Sequence, residues 1–303
     1  MNWNMAPIMA LVMLLQGCGA QNSSQAIEQK YTNHASKFVT VEGKRVYYRD
    51  EGQGEVVILL HGTSSSLHAW EQWSQILKQD YRVVRMDLPG FGLTGHLPQN
   101  QYEIPDDIAF LSAFMRELDI EQAHFVGSSL GGRIVWEYGL QHPEQVITLT
   151  LINALGYPQK SWPPGIAMAQ WPVIDKIMEN VTPRFMFEDG LKEVYFDPLL
   201  VDAALIDRYY ELTTYQQNRQ GFTRRVRASL DEDSDKITQI AKPTLILWGK
   251  EDRYFPAENA RKFERDIRGS YAVVYDDVGH LPMEEVPERS AEAFKQFISK
   301  GKP

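Results

Sequence analysis

A serine hydroxyl becomes a nucleophile only where the chain holds it in the open and a base can take its proton. Gly127-Ser128-Ser129-Leu130-Gly131 is the segment best built for that. Ala123-His124-Phe125-Val126 before it reads as a short buried strand, and Gly132 to Leu140 after it reads as a helix carrying Ile134, Val135 and Leu140. Strand, G-x-S-x-G, helix is the context of a nucleophile elbow. Such a turn strains the serine backbone, and its glycines leave space where a Cβ would sit. The free N–H groups of the following helix favour a developing oxyanion. Centring the pattern on Ser128 would need glycines at Val126 and Leu130, so Ser129 is the candidate nucleophile.

The base and its acid must come from elsewhere in the chain. Thr244-Leu245-Ile246-Leu247-Trp248-Gly249 reads as an apolar strand, and the carboxylates Glu251 and Asp252 follow it directly. Tyr271-Ala272-Val273-Val274-Tyr275 reads as a last strand, with Val278-Gly279-His280 in the loop beyond. A carboxylate and an imidazole, each just past a strand end, can reach the same rim of a sheet as the serine. That set supports acyl transfer, with the imidazole as base and the carboxylate holding its tautomer.

These pieces resemble the α/β-hydrolase family. The matching segments are His61-Gly62, Asp87-Leu88-Pro89-Gly90-Phe91-Gly92, the elbow at Ser129, Trp248-Gly249-Lys250-Glu251-Asp252 and Gly279-His280-Leu281-Pro282. The resemblance runs from about Phe38 to Ile298, nearly the whole chain. It implies an α/β fold with a mostly parallel eight-stranded sheet, helices on both faces and the site at the strands' carboxyl ends. It also implies the order Ser129, Asp252, His280 for the triad, with Asp252 preferred over Glu251. Thr63 and Leu130 would be the oxyanion donors through their N–H groups. His61 would shape the oxyanion loop, and Asp87 would form a loop beside the site. Some members carry the acid one strand earlier, near Asn153, which cannot serve as an acid. The serine excludes the usual haloalkane dehalogenase and epoxide hydrolase branches, which place an aspartate at the elbow.

The elements that must position these residues are legible along the chain. Phe38 to Val41 and Lys44 to Arg49 flank the Glu42-Gly43 turn as a hairpin. Val56 to Leu60 is a continuous apolar run of the kind central parallel strands show, and Arg82 to Met86 and Val146 to Ile152 are further strands. Trp70, Trp73 and Leu77 recur at helical spacing, as do Ile108, Leu111, Met115 and Leu118 after Pro105; Phe294, Phe297 and Ile298 anchor a last helix. The core is thus expected over 37–155 and 237–303, with a helical cap inserted over 156–236. The cap's aromatics, from Tyr157, Trp162 and Trp171 to Phe187 and Tyr209, suit either its own core or a lid on an apolar pocket. Arg224, Arg225 and Arg227 read as a solvated cap face, and Glu284 and Glu285 as charges favoured at a helix start. The remaining histidines sit in no acid/base or metal pattern.

Composition bounds the function. A chain of 303 residues, 43% hydrophobic and 23% charged, suits a globular protein with one large core and an accessory piece. A net charge of −9 and the absence of a Lys/Arg-rich run argue against nucleic acid. No metal spacing or dinucleotide fingerprint is present, so no cofactor is expected. Ala6 to Leu15 is an apolar run too short to span a bilayer, and it ends in Leu15-Gln16-Gly17-Cys18, holding the chain's only cysteine. This resembles a bacterial lipobox, implying cleavage and lipidation at Cys18, a membrane partner and a cell-envelope address. Gly19 after the cysteine favours the outer membrane. The absence of Lys or Arg before Lys30 works against export. Residues 1–18 are therefore expected as a signal peptide and 19–36 as a polar tether. The expected activity is cleavage of an apolar carboxylic ester through an acyl-enzyme. Carbon–carbon bond hydrolysis of vinylogous diketones or cofactor-free perhydrolysis with the same triad are alternatives, and a silent binding protein is a last one. Oligomeric state is not legible.

Overall fold

The computed structural model describes residues 24–97, 99, 102–159, 162–228 and 233–300. Eight strands form one sheet in the order β1-β2-β4-β3-β5-β6-β7-β8. They are β1 (Ser36–Val41), β2 (Lys44–Glu51), β3 (Val56–Leu60), β4 (Arg82–Met86), β5 (Ala123–Ser128), β6 (Val146–Ile152), β7 (Thr244–Gly249) and β8 (Tyr271–Tyr275). The β1–β2 hairpin is antiparallel and turns through Glu42 and Gly43, both at positive φ. β2 joins β4 antiparallel, and every later pairing is parallel.

Register decides where chemistry can gather. Leu60 pairs with Gly127, Ser128 with Ile152, Ile152 with Leu247 and Gly249 with Tyr275, so the carboxyl ends of the central strands lie level. The loops after β3, β5, β7 and β8 therefore open on one rim. Successive strand residues feed opposite faces. Phe125 packs with α3 (Ile104–Glu117), α4 (Leu130–Gln141) and α10 (Glu258–Asp266), whereas Val126 packs with α2 (Glu71–Leu77) and α12 (Pro287–Lys300). Burying both faces is what requires the near-continuous apolar strands read in the sequence.

The inserted cap lies between β6 and β7 and holds α5 (Pro164–Ala169), α6 (Ile174–Met178), α7 (Arg184–Val194), α8 (Ala203–Thr214) and α9 (Asn218–Arg227). The segment expected as a tether differs from that reading. Residues 24–31 form a helix, α1, and β1 begins at Ser36. Ile27 and Tyr31 pack beside Tyr47, Leu67 and Leu212, Glu28 pairs with Arg45, and Lys30 and Tyr31 both bond Glu211 of α8. Two apolar side chains are too few for a periodic pattern, and their partners lie far away in sequence, so the docking was invisible in composition. Residues 1–18, with the expected signal and Cys18, lie outside the described residues, as do residues 19–23 of the expected tether. Among the described residues no helix is long and apolar enough to cross a membrane.

Candidate active site

Ser129 sits between β5 and α4 at φ 54° and ψ −114°, a conformation that costs a non-glycine residue about 1–3 kcal/mol. Its surroundings over-determine it. Its N–H bonds Ile152 O at 3.0 Å, and its carbonyl accepts from Arg133 and Leu155, each at 3.1 Å. A Cβ on Gly127 would strike the backbone of Gly131, and one on Gly131 would strike Leu60 O, so the two glycines are needed for close approach. Ser129 lines a cavity, while Ser128 does not and is wholly buried, with no partner for its Oγ among the described residues.

Asp252 is held by four donors. Its Oδ1 accepts from Tyr254 N at 2.8 Å and Phe255 N at 3.1 Å, and its Oδ2 from His280 Nδ1 at 2.8 Å and Asn153 Nδ2 at 2.5 Å. An ionised carboxylate only accepts, so the Nδ1 of His280 carries the proton and its Nε2 is left as an acceptor. His280 lines the same cavity as Ser129. Glu251, the rival carboxylate, is exposed, and its N–H bonds Val278 O.

Asn153 was discounted in the sequence because it cannot be an acid. The structure shows it buried at positive φ at the end of β6, bridging from Asp252 to the N–H of Gly249 at 3.2 Å. Only its position level with β7 could have signalled this.

The opposite wall is the loop after β3. His61 is fully buried, and burial pushes its pKa down to about 4. It is neutral: Nε2 accepts from Leu88 N at 3.0 Å and Nδ1 donates to Gly62 O at 2.7 Å. Asp87 accepts from Leu67 N at 2.7 Å and Leu93 N at 2.6 Å, fixing the glycine-rich turn beside it, and burial raises its pKa to about 7. These contacts set the course of Gly62-Thr63. Leu130 opens α4, so its N–H has no acceptor within the helix. Thr63 and Leu130 both line the cavity with Ser129.

Two readings of charged residues need correction. Arg225 is not on a solvated face. It is 3% exposed, grips Asp107 with both terminal nitrogens, at 2.5 and 2.9 Å, and bonds Pro89 O at 3.1 Å. Glu284 and Glu285 do more than favour a helix start. Glu285 accepts N–H bonds from Gly279, Leu281 and the cap residue Phe196, clamping the loop that carries His280, and burial raises its pKa. Glu284 bonds Arg208 and Tyr209 of α8. Their partners come from the cap, about eighty residues away, and no local pattern could announce them.

The cavity is about 370 Å³. Its cap side is built by Trp162, Ile166, Met186, Phe187 and Phe222. Among the described lining residues the only arginine or lysine is Arg225, already paired with Asp107. Other cap aromatics divide as both readings allowed: Tyr157 and Tyr195 are buried, whereas Trp171 and Phe185 are exposed.

Comparison with known proteins agrees with this architecture. The profile of the alpha/beta hydrolase fold family matches residues 55–287. YugF, an uncharacterised hydrolase of Bacillus subtilis, is 28% identical over 86% of this chain and 96% of its own. A 2-hydroxy-6-oxo-6-(2'-aminophenyl)hexa-2,4-dienoic acid hydrolase of Metapseudomonas resinovorans is 27% identical over 92% of this chain and 96% of its own. Among solved structures, a serine hydrolase involved in carbazole degradation, CarC, superposes with a TM-score of 0.75 at 27% identity. It covers 87% of this chain and 98% of its own.

Proposed function

The chain belongs to the α/β-hydrolase family, and from that premise we propose a serine hydrolase that cleaves an uncharged, apolar carboxylic ester. Ser129 Oγ attacks the carbonyl as His280 Nε2 takes its proton, and Asp252 steadies the resulting imidazolium. The N–H groups of Leu130 and Thr63 hold the oxyanion. His280 then returns the proton to the leaving alcohol, and water enters by the same base to release the acid. The observation that carries the ester is the cavity's chemistry. It is mostly apolar, the one arginine among its described lining residues is charge-paired with Asp107, and Asp189 and Glu193 also line it, so the charge balance disfavours a buried substrate carboxylate.

A second reading, hydrolysis of a carbon–carbon bond, is favoured by the relative from Metapseudomonas resinovorans, whose name specifies a 6-oxo dienoic acid as the compound it hydrolyses. The same serine and histidine would serve it, but its substrate carries a carboxylate. Turnover of p-nitrophenyl esters of rising chain length should be measured beside turnover of 2-hydroxy-6-oxo-6-(2'-aminophenyl)hexa-2,4-dienoic acid. Ester kcat/KM above that for the dienoic acid supports the first reading; the reverse order replaces it with the second.

For the N-terminus we propose cleavage and acylation at Cys18, with the body held on the bacterial envelope. The support is the Leu15-Gln16-Gly17-Cys18 sequence behind the apolar run. Incorporation of a fatty-acid analogue into wild type but not Cys18→Ser is the expected result; an unlabelled wild type overturns it.

A further inference from the structure

Large exposed hydrophobic side chains are not spread over this molecule. Among the described residues, all of those more than a third exposed fall between Met168 and Leu200, in the cap. Five of them, Trp171, Val173, Ile177, Val181 and Phe185, are between 57% and 69% exposed. Val173, Ile177 and Val181 recur every four residues, and the backbone bonds Ile177 N to Val173 O and Val181 N to Ile177 O put them on one stripe. Val173 holds a positive φ of 88°, which is strained for a β-branched residue, yet its side chain packs on little of the protein. A soluble monomer seldom keeps such a patch without a partner.

We infer that this cap face docks on the surface of a lipid bilayer and receives the substrate there. Three observations point to lipid. First, the face adjoins the cavity: Ile166 and Met168 of α5 line it, and Trp171 follows one turn later, its N–H on Met168 O. Apolar substrate leaving a membrane would meet the entrance without crossing water. Second, the chain outside the described residues leads into a helix docked on the cap, since α1 lies on α8 through Glu211. Cys18 precedes α1 by a segment that spans at most about 20 Å. Third, the make-up of the face is interfacial: an indole and aliphatic side chains flanked by Lys176 and Arg184, whose stems can lie along an apolar surface with their charges in water.

This inference rests on the reading of an apolar ester substrate, and its test separates the two. Trp171 is the one well-exposed tryptophan among the described residues, so it reports directly. Full-length protein carrying Trp3→Phe, added to phosphatidylcholine vesicles with brominated acyl chains, should show fluorescence quenching that Trp171→Phe removes. The triple variant Trp171→Ser, Ile177→Ser, Phe185→Ser should turn over an ester embedded in the vesicles at least about tenfold more slowly. Its turnover of soluble p-nitrophenyl acetate should be unchanged, since none of the three lines the cavity. Absence of quenching from Trp171, or unchanged turnover of the embedded ester, overturns the docking surface. So does a wild-type dimer that the triple variant converts to monomer, because the face would then join two copies of the chain. Failure to cleave p-nitrophenyl acetate at all would count against the ester reading alone, as the quenching needs no catalysis.

Discussion

Asp252 in the main domain is held by four hydrogen-bond donors, while Met186 and Phe187, which line the same cavity from the cap, present only apolar surface to it. The two sides of the site are built on different physics. On the sheet rim each polar group has a fixed partner, so its position is specified to a fraction of an ångström by directional bonds. On the cap side, along the stretch of Trp162, Ile166, Met186, Phe187 and Phe222, shape and the exclusion of water do the selecting, and apolar surface tolerates substitution of similar volume. Chemistry should therefore be lost steeply by changes on the rim, and substrate preference should drift gradually by changes in the cap.

The sharpest test of that contrast is the serine itself. Ser129→Ala should lower kcat by on the order of 10⁵–10⁶, as in other serine hydrolases stripped of the nucleophile. Ser128→Ala, which removes a buried unpartnered hydroxyl, should retain most activity. Mass spectrometry after organophosphate treatment should find the adduct on the peptide holding Ser129, and an adduct elsewhere would reassign the nucleophile.

Next in size is the acid. Asp252→Asn should reduce kcat by about 10³–10⁴, because the imidazole loses the acceptor that holds its tautomer. Glu251→Gln should be mild, since that side chain is exposed. Asn153→Ala leaves the acid in place but removes one of its donors, and a loss of about tenfold is expected. Steady-state kinetics of the three variants side by side would show the order; equal losses for Asp252→Asn and Glu251→Gln would break the assignment.

A smaller effect, on stability, tests the buried wall behind the oxyanion loop. The pKa of His61 is about 4 in the fold against 6.5 unfolded. Between those values the unfolded chain binds a proton that the folded chain refuses, so this contribution is complete above pH 6.5 and is lost as pH falls toward 4. It amounts to roughly 3 kcal/mol, a factor of about three hundred in the folding equilibrium. Asp87, raised to about 7, acts in the opposite sense over the same window, so the His61 share is read as a difference: from pH 7.5 to 4 the wild type should lose melting temperature relative to His61→Gln. Parallel curves for the two proteins would count against it.

The smallest effect is expected on the apolar side. Phe187→Ala should raise KM for long-chain esters by a few-fold, with kcat for p-nitrophenyl acetate nearly unchanged, because only uniform binding area is removed. A kcat loss approaching that of Asp252→Asn would mean that the cap positions the chemistry and that the contrast drawn above is wrong.

Helix α1 and the charged residues Arg225 and Glu285 show where reading the chain stops being sufficient. The strands, the elbow and the places after β7 and β8 where acid and base sit are written in local patterns: runs of Val, Ile and Leu, a glycine on each side of Leu130 and Ser129, a carboxylate past a strand end. Those signals are short-range, since period and turn chemistry act over a few residues; they determined by themselves the sequence of elements and marked Ser129, His280 and the pair Glu251 and Asp252 as candidates, while the sheet architecture and the preference for Asp252 came with the family resemblance. Which residues hold them in place was decided by the fold. Asn153 meets Asp252 across 99 positions, Arg225 meets Asp107 across 118, and Phe196 meets Glu285 across 89. A polar side chain carries no mark of whether it will meet water or a buried partner, because that depends on which surfaces the packed sheet and cap bring together. The same holds for the cap's aromatics, whose spacing is alike whether they line the cavity, as Phe187 does, or face outward, as Trp171 does.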